Sequence, residues 1–254
     1  MLLVHGAFAD ASIWAGVISR LHLAGIDVIA PANPLRGLAI DARYIANAAN
    51  GIDGPAILVG HSYGGAVITA IGSNLNNVLG LVYVAAYALE AGESALDVSR
   101  RFPDSLLAPA LRPATFLDAD GKPAVELYIE RDVFPRVFAA DLPAPVAAAA
   151  AATQRPIAAT AFEETSPTAA WKRLPCWYVI ATADRVITPD AQRFMADRAS
   201  AQTIEVDGSH AVAASQPALV ADQIRSAALS VHRLSAPPNR SDDQPFNYAK
   251  DALG

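Results

Sequence analysis

Short apolar runs alternate with amphipathic stretches along most of the chain. Leu2, Leu3 and Val4 form a brief apolar run, and Ile13, Trp14, Val17, Ile18 and Leu21 then recur at helical spacing behind Ser12, a candidate N-cap, until Gly25. Residues 26–30 read as a second strand closed by Pro31 and Pro34. Asp41 is placed to cap a helix carrying Ile45, Ala46 and Ala49. Residues 56–59 predict a third strand, residues 64–75 a helix, and residues 78–84 a fourth strand. Later segments repeat the rhythm: strand 176–181, helix 189–199, strand 203–206 and helix 217–231. The strands are apolar on both faces, which predicts an α/β fold with a mostly parallel sheet covered by helices on both sides.

Residues 90–170 break this rhythm. They are rich in proline, include six consecutive alanines from Ala147 to Ala152, and contain helical stretches without a convincing buried strand. They are read as a helical lid inserted into a core made of residues 1–89 and 171–232. Residues 233–254 are read as a polar, mobile tail.

Composition narrows the classes of function. Hydrophobic residues make up 53% and charged residues 17%, which excludes charge-driven disorder. The formal net charge is −6 and there is no basic block, so neither a nucleic acid nor a membrane is expected as partner. No apolar run approaches the length of a membrane span, and no secretory signal pattern precedes the first strand, so a cytoplasmic location is expected. The single cysteine, Cys176, excludes an internal disulfide, and no cysteine cluster suggests a metal. No metal or other cofactor is expected. The sequence is compatible with a homo-oligomer as well as a monomer.

The sharpest chemical signal is Gly60-His61-Ser62-Tyr63-Gly64-Gly65, a G-x-S-x-G pattern between an apolar strand and a helix. A sharp strand-to-helix corner raises one hydroxyl above the sheet edge, with glycines removing the Cβ atoms that would clash. The helix that follows aims backbone N–H groups at the reacting centre. A serine hydroxyl needs a base. Of the five histidines, His61 adjoins Ser62 but points away in such a corner. His210 lies between a late strand and the last helix and is the expected base. Asp184, after strand 176–181, is the expected orienting acid, giving the chain order nucleophile, acid, base. Asp207 and Glu90 are rival carboxylates. Two donors are needed for a developing oxyanion. The expected pair is the N–H of Tyr63 and that of Ala7, in the loop after the first strand, where Gly6 permits close approach of the backbone.

These residues resemble the α/β-hydrolase superfamily, and within it the branch of plant methyl esterases and hydroxynitrile lyases. The resemblance rests on Val4-His5-Gly6-Ala7, Trp14, residues 60–65, Val84-Ala85-Ala86 and the segments around Asp184 and His210. It covers residues 2–90 and 171–231, while the insertion matches only in position. Two departures bear on activity. The lyases carry a lysine directly after the catalytic histidine, where this chain has Ala211, and a threonine in the oxyanion loop, where it has Gly6. The resemblance therefore implies an ester hydrolase rather than a cyanohydrin lyase.

The expected reaction is acyl transfer from a small apolar or aromatic carboxylic ester to water. Candidate pocket residues are Phe8, Trp14, Tyr87, Leu89, Phe116, Tyr128, Phe134, Trp171 and Ile187, with Arg36 a candidate for a substrate carboxylate and also for a purely structural role. The same triad also serves perhydrolysis, carbon–carbon bond hydrolysis or lyase chemistry in the superfamily, and some relatives are receptors for small hormones. Fold alone does not separate these.

Overall fold

In a computed structural model, residues 1–235 are described, and residues 236–254 lie outside the described part. The chain opens with β1 (Leu2–Val4), a 3-10 turn (Ala11–Trp14), α1 (Ala15–Leu23), α2 (Leu38–Asn50), β2 (Ala56–His61), α3 (Tyr63–Ile71) and β3 (Val78–Val84). The insertion adds α4 (Ala95–Arg101), α5 (Leu107–Ala110), β4 (Leu111–Leu117), β5 (Pro123–Ile129), α6 (Phe134–Phe138), α7 (Ala144–Thr153), β6 (Ile157–Ala158) and α8 (Thr160–Glu163). β7 (Cys176–Ala181), α9 (Pro189–Arg198), β8 (Gln202–Val206), α10 (Val212–Ser215) and α11 (Pro217–Ser235) complete it.

Strands β1-β2-β3-β7-β8 form one sheet in that order, and every pairing is parallel. Leu3, Leu58, Val59, Leu81, Val82 and Val179 are buried, as expected of strands covered on both faces. Helix α1 packs against α11 on one face, and α2 against α3 on the other. Because all strands run the same way, the loops after β1, β2, β7 and β8 open at a single edge. That is where open α/β sheets place their sites.

Several local expectations change in three dimensions. Segment 26–30 forms only one bridge, Leu2 to Ile29, supported by Leu3 N–H to the Ile29 carbonyl at 2.9 Å. It borders a three-residue strand, Ile29 is 44% exposed, and Pro31 has no N–H to extend the ladder. Asp10, not Ser12, caps the 3-10 turn, accepting the Ser12 N–H at 2.8 Å. α2 begins at Leu38, so Asp41 lies inside the helix, and its carboxylate is used elsewhere. α3 ends at Ile71 and tightens into a 3-10 turn over Gly72–Asn74. α11 extends to Ser235, so residues 233–235 of the expected tail are helical, and the remainder of that expectation falls outside the described residues.

The insertion is helical in part, but it also holds a three-stranded antiparallel sheet, β4-β5-β6. Its strands are half exposed, so no continuous apolar run marks them. The turn signal was nonetheless present. The Asp118 carboxylate accepts the N–H groups of Asp120 (2.9 Å) and Lys122 (2.8 Å), and Gly121 adopts φ 75°.

Candidate active site

Ser62 stands at the corner between β2 and α3 with φ 54° and ψ −123°. A non-glycine residue with positive φ costs about 1–3 kcal/mol and persists only where its surroundings impose it. Here the Ser62 N–H donates to the Val84 carbonyl at 3.2 Å, and the Ser62 carbonyl accepts from Gly65 (3.0 Å) and Tyr87 (3.1 Å). Gly64 permits the corner, since a Cβ there would overlap the Val4 carbonyl oxygen. Gly6 permits the loop after β1 to approach, since a Cβ there would lie 2.6 Å from Ser62 Cβ and 3.1 Å from Ser62 Oγ.

The loop after β8 carries His210 across the sheet edge. Its Nε2 lies 2.8 Å from Ser62 Oγ, and its Nδ1 lies 2.7 Å from Asp184 Oδ2. All three residues are buried, Ser62 to 4% exposure. With a carboxylate on Nδ1, the neutral ring carries its proton there and leaves Nε2 free to accept from the serine hydroxyl. The rival carboxylates are elsewhere: Asp207 is exposed, and Glu90 pairs with Lys172 at 2.7 Å.

Two supporting residues, Gln192 and Asp141, escaped the sequence reading, as did the anchoring contact of His61. Gln192, fully buried on α9, donates from Nε2 to Asp184 Oδ2 (2.8 Å) and to the Ile187 carbonyl (2.7 Å), and accepts the Ala181 N–H (3.0 Å). The other carboxylate oxygen accepts the N–H groups of Val186 (2.7 Å) and Ile187 (3.1 Å). His61 does point away from the serine, and its Nε2 donates to the His210 carbonyl at 2.8 Å. Burial holds His61 neutral by pushing its pKa well down, with a smaller contribution from His210. From the inserted segment, Asp141 accepts the Ser209 N–H (3.0 Å) and hydroxyl, and the Phe138 carbonyl accepts the Ala211 N–H (3.0 Å). Only the helical periodicity of α9 hinted at Gln192, which sits one turn past its start on the buried face.

The loop after β1 is fastened by hydrogen bonds to Asn33. His5 Nε2 accepts the Asn33 N–H (2.9 Å), His5 Nδ1 donates to the Gly6 carbonyl (2.9 Å), and Asn33 Nδ2 donates to the His5 carbonyl (3.1 Å). Burial lowers the His5 pKa to about 4, against the opposing Gly6 hydrogen bond. On the other side the Tyr63 hydroxyl donates to Asp41 Oδ2 at 2.9 Å, and Asp41 Oδ1 accepts the Arg36 N–H at 3.0 Å. Burial raises the Asp41 pKa to about 6 despite those donors.

The expected pocket residues divide. Phe8 and Phe134 line a cavity beside His210, and Tyr87 and Ile187 line a narrow cleft near Asp184. Leu89 is buried in the core, where its carbonyl accepts the indole N–H of Trp171 (2.8 Å), and that ring lies against Lys172 and Arg198. Trp14 is fully buried, edge-on to the His61 ring. Phe116 and Tyr128 sit on the β4-β5-β6 sheet beneath Arg36 and Arg112. Arg36 is structural, its guanidinium bonded to Glu126 at 3.0 Å.

A serine at a strand-to-helix corner, bonded to a late histidine that is bonded to a carboxylate after β7, coincides with a family match over residues 1–223. The chain belongs to the alpha/beta hydrolase family. Solved structures of the same fold include a pyrethroid hydrolase from Sphingobium faniae JZ-2, with a TM-score of 0.75 and 22% identity over 91% of this chain and 98% of that one. Polyneuridine aldehyde esterase gives 0.73 and 17% over 92% and 98%. A methylesterase from Arabidopsis gives 0.73 and 17% over 90% and 99%. No curated protein matches the chain in sequence. Among the described residues of this alpha/beta hydrolase, no helix is long and apolar enough to cross a membrane.

Proposed function

We propose that this alpha/beta hydrolase is a serine esterase that cleaves small apolar or aromatic carboxylic esters through an acyl-enzyme. The observation that carries the reading is the continuous chain of hydrogen bonds from Ser62 Oγ through His210 to Asp184, at 2.8 and 2.7 Å.

His210 Nε2 takes the hydroxyl proton as Ser62 Oγ attacks the ester carbonyl. Negative charge then develops on the carbonyl oxygen and is met by the N–H groups of Ala7 and Tyr63. Gly6 supports this assignment by bringing the first loop against Ser62, and Tyr63 is the first residue of α3, where N–H groups lack intrahelical partners. His210 returns its proton to the leaving alcohol. A water, deprotonated the same way, releases the acid. Asp184 is a positioning residue whose charge stabilises the imidazolium.

Ala211 and Gly6 argue against cyanohydrin cleavage. Neither offers a cation or a hydroxyl to a cyanide leaving group, and Ala211 is 2% exposed. The test is turnover of p-nitrophenyl acetate and butyrate by the wild type and Ser62→Ala, with fluorophosphonate labelling of both. The wild type should cycle and label. Ser62→Ala should not label and should lose about 10⁴-fold or more in kcat. A loss below tenfold would reject the assignment, and a single acyl transfer without cycling would favour a receptor.

A further inference from the structure

The corner at Ser62 leans on a second strained turn. At the exit of β3, Ala85 adopts φ 44°, in the left-handed region that a residue with a Cβ enters only where its surroundings impose it. This turn brackets the nucleophile's backbone on both sides. Before it, the Val84 carbonyl accepts the Ser62 N–H at 3.2 Å, and after it the Tyr87 N–H donates to the Ser62 carbonyl at 3.1 Å. Ser62 itself stands at φ 54°, so two strained residues are joined by two hydrogen bonds.

The turn is fixed from the neighbouring strand. The Ala85 N–H donates to the Val179 carbonyl of β7 at 2.9 Å, one step past the end of the β3–β7 ladder. Ala86 follows outside β3 and is fully buried, so its N–H and C=O need partners other than a sheet ladder. The Tyr178 hydroxyl serves both. It accepts the Ala86 N–H at 3.2 Å and donates its own proton to the Ala86 carbonyl. A phenol offers one donor and acceptor lone pairs, and here both functions are spent on one residue. Tyr178 lies within β7, fully buried, its ring stacked on that of Tyr83 with centroids 5.7 Å apart. Burial pushes the phenol's pKa up, so the hydroxyl keeps the proton it donates.

We propose that Tyr178 is a positioning residue for the nucleophile: through Ala86 its hydroxyl fixes the turn that brackets Ser62, and so sets the direction of Ser62 Oγ toward His210 Nε2. The proposal rests on the serine-esterase reading and deepens it. Removing the hydroxyl keeps the ring and its packing, but it leaves both polar groups of Ala86 without that partner and lets the turn relax. A misplacement of about 1 Å at the reacting atom costs about 10²-fold in rate, so a fraction of that shift is measurable.

The experiment compares Tyr178→Phe with Tyr83→Phe, which each lose one buried phenol hydroxyl from paired positions of β7 and β3. The Tyr83 hydroxyl bonds to Thr69 Oγ1 at 2.9 Å, so its loss tests stability without releasing Ala86. The readout is the second-order rate of fluorophosphonate labelling at Ser62, at a temperature where circular dichroism shows each variant folded. The extent of labelling at the end point counts competent molecules. Tyr178→Phe should label to the same extent as wild type but about tenfold more slowly. Its kcat for p-nitrophenyl acetate should fall by a similar factor while KM stays within threefold. Tyr83→Phe should stay within twofold of wild type in both rates. If Tyr178→Phe does not fold, the comparison moves to an Ala85→Gly background, where glycine holds φ 44° without strain, and a loss above threefold relative to Ala85→Gly alone is expected. Labelling within twofold of wild type, or equal losses in the two phenylalanine variants, overturns the positioning role and leaves the esterase reading intact. A wild type that labels but turns over no ester overturns the esterase reading, while the labelling rates still decide the role of Tyr178. A wild type that does not label overturns both.

Discussion

The buried His5 makes acid sensitivity a quantitative test of how the loop after β1 is held. In the folded chain its Nε2 faces the Asn33 N–H, so a second proton would set two donors against each other. Burial lowers its pKa from 6.5 to about 4. The unfolded chain therefore binds this proton at pH values where the folded chain refuses it, and stability falls as pH falls from 6.5 towards 4. At one pKa unit per 1.36 kcal/mol, His5 alone removes about 2 kcal/mol by pH 5 and about 3 kcal/mol by pH 4. His61 acts in the same direction, because burial pushes it down as well. The share of His5 is isolated by His5→Gln, whose amide can accept from Asn33 and donate to the Gly6 carbonyl without titrating. Urea unfolding of both proteins at pH 7.5, 5 and 4 should show the wild type losing about 2 kcal/mol more than the variant by pH 5 and about 3 kcal/mol more by pH 4. Parallel pH profiles would refute the reasoning, for they would mean that His5 is protonated as readily in the folded chain as in the unfolded one.

Gln192→Leu should cost about 2–4 kcal/mol, since it leaves the buried Ala181 N–H and Ile187 carbonyl without partners. It should also lower kcat about tenfold by freeing Asp184 to shift, as p-nitrophenyl acetate turnover and urea unfolding would measure, and an unchanged kcat would remove Gln192 from the positioning of the triad. Gly64→Ala should destabilise the fold by about 3 kcal/mol or more, because the new methyl overlaps the Val4 carbonyl oxygen, a backbone atom at the end of β1. A wild-type melting temperature for that variant would show that the corner can relax.

The chain alone determined the features whose causes are local. Apolar runs on β2, β3 and β7 announced buried parallel strands because both sheet faces exclude water. The glycines around Ser62 marked the corner because only a missing Cβ fits there, and the loop position of His210 marked it as the candidate partner of Ser62. Half-exposed features were harder to read. The β4-β5 hairpin lacks a continuous apolar run, and segment 26–30 had the composition of a strand but only a three-residue neighbour to pair with. Only the tertiary structure decided which carboxylate reaches His210, since Asp207 is nearer in sequence yet exposed. It alone also brought Gln192, His61 and Asp141 to the site. Those contacts join residues from 8 to 149 positions apart. A hydrogen bond or a cavity wall formed across such distances depends on how helices and loops pack, and the pattern along one segment carries no record of its partner.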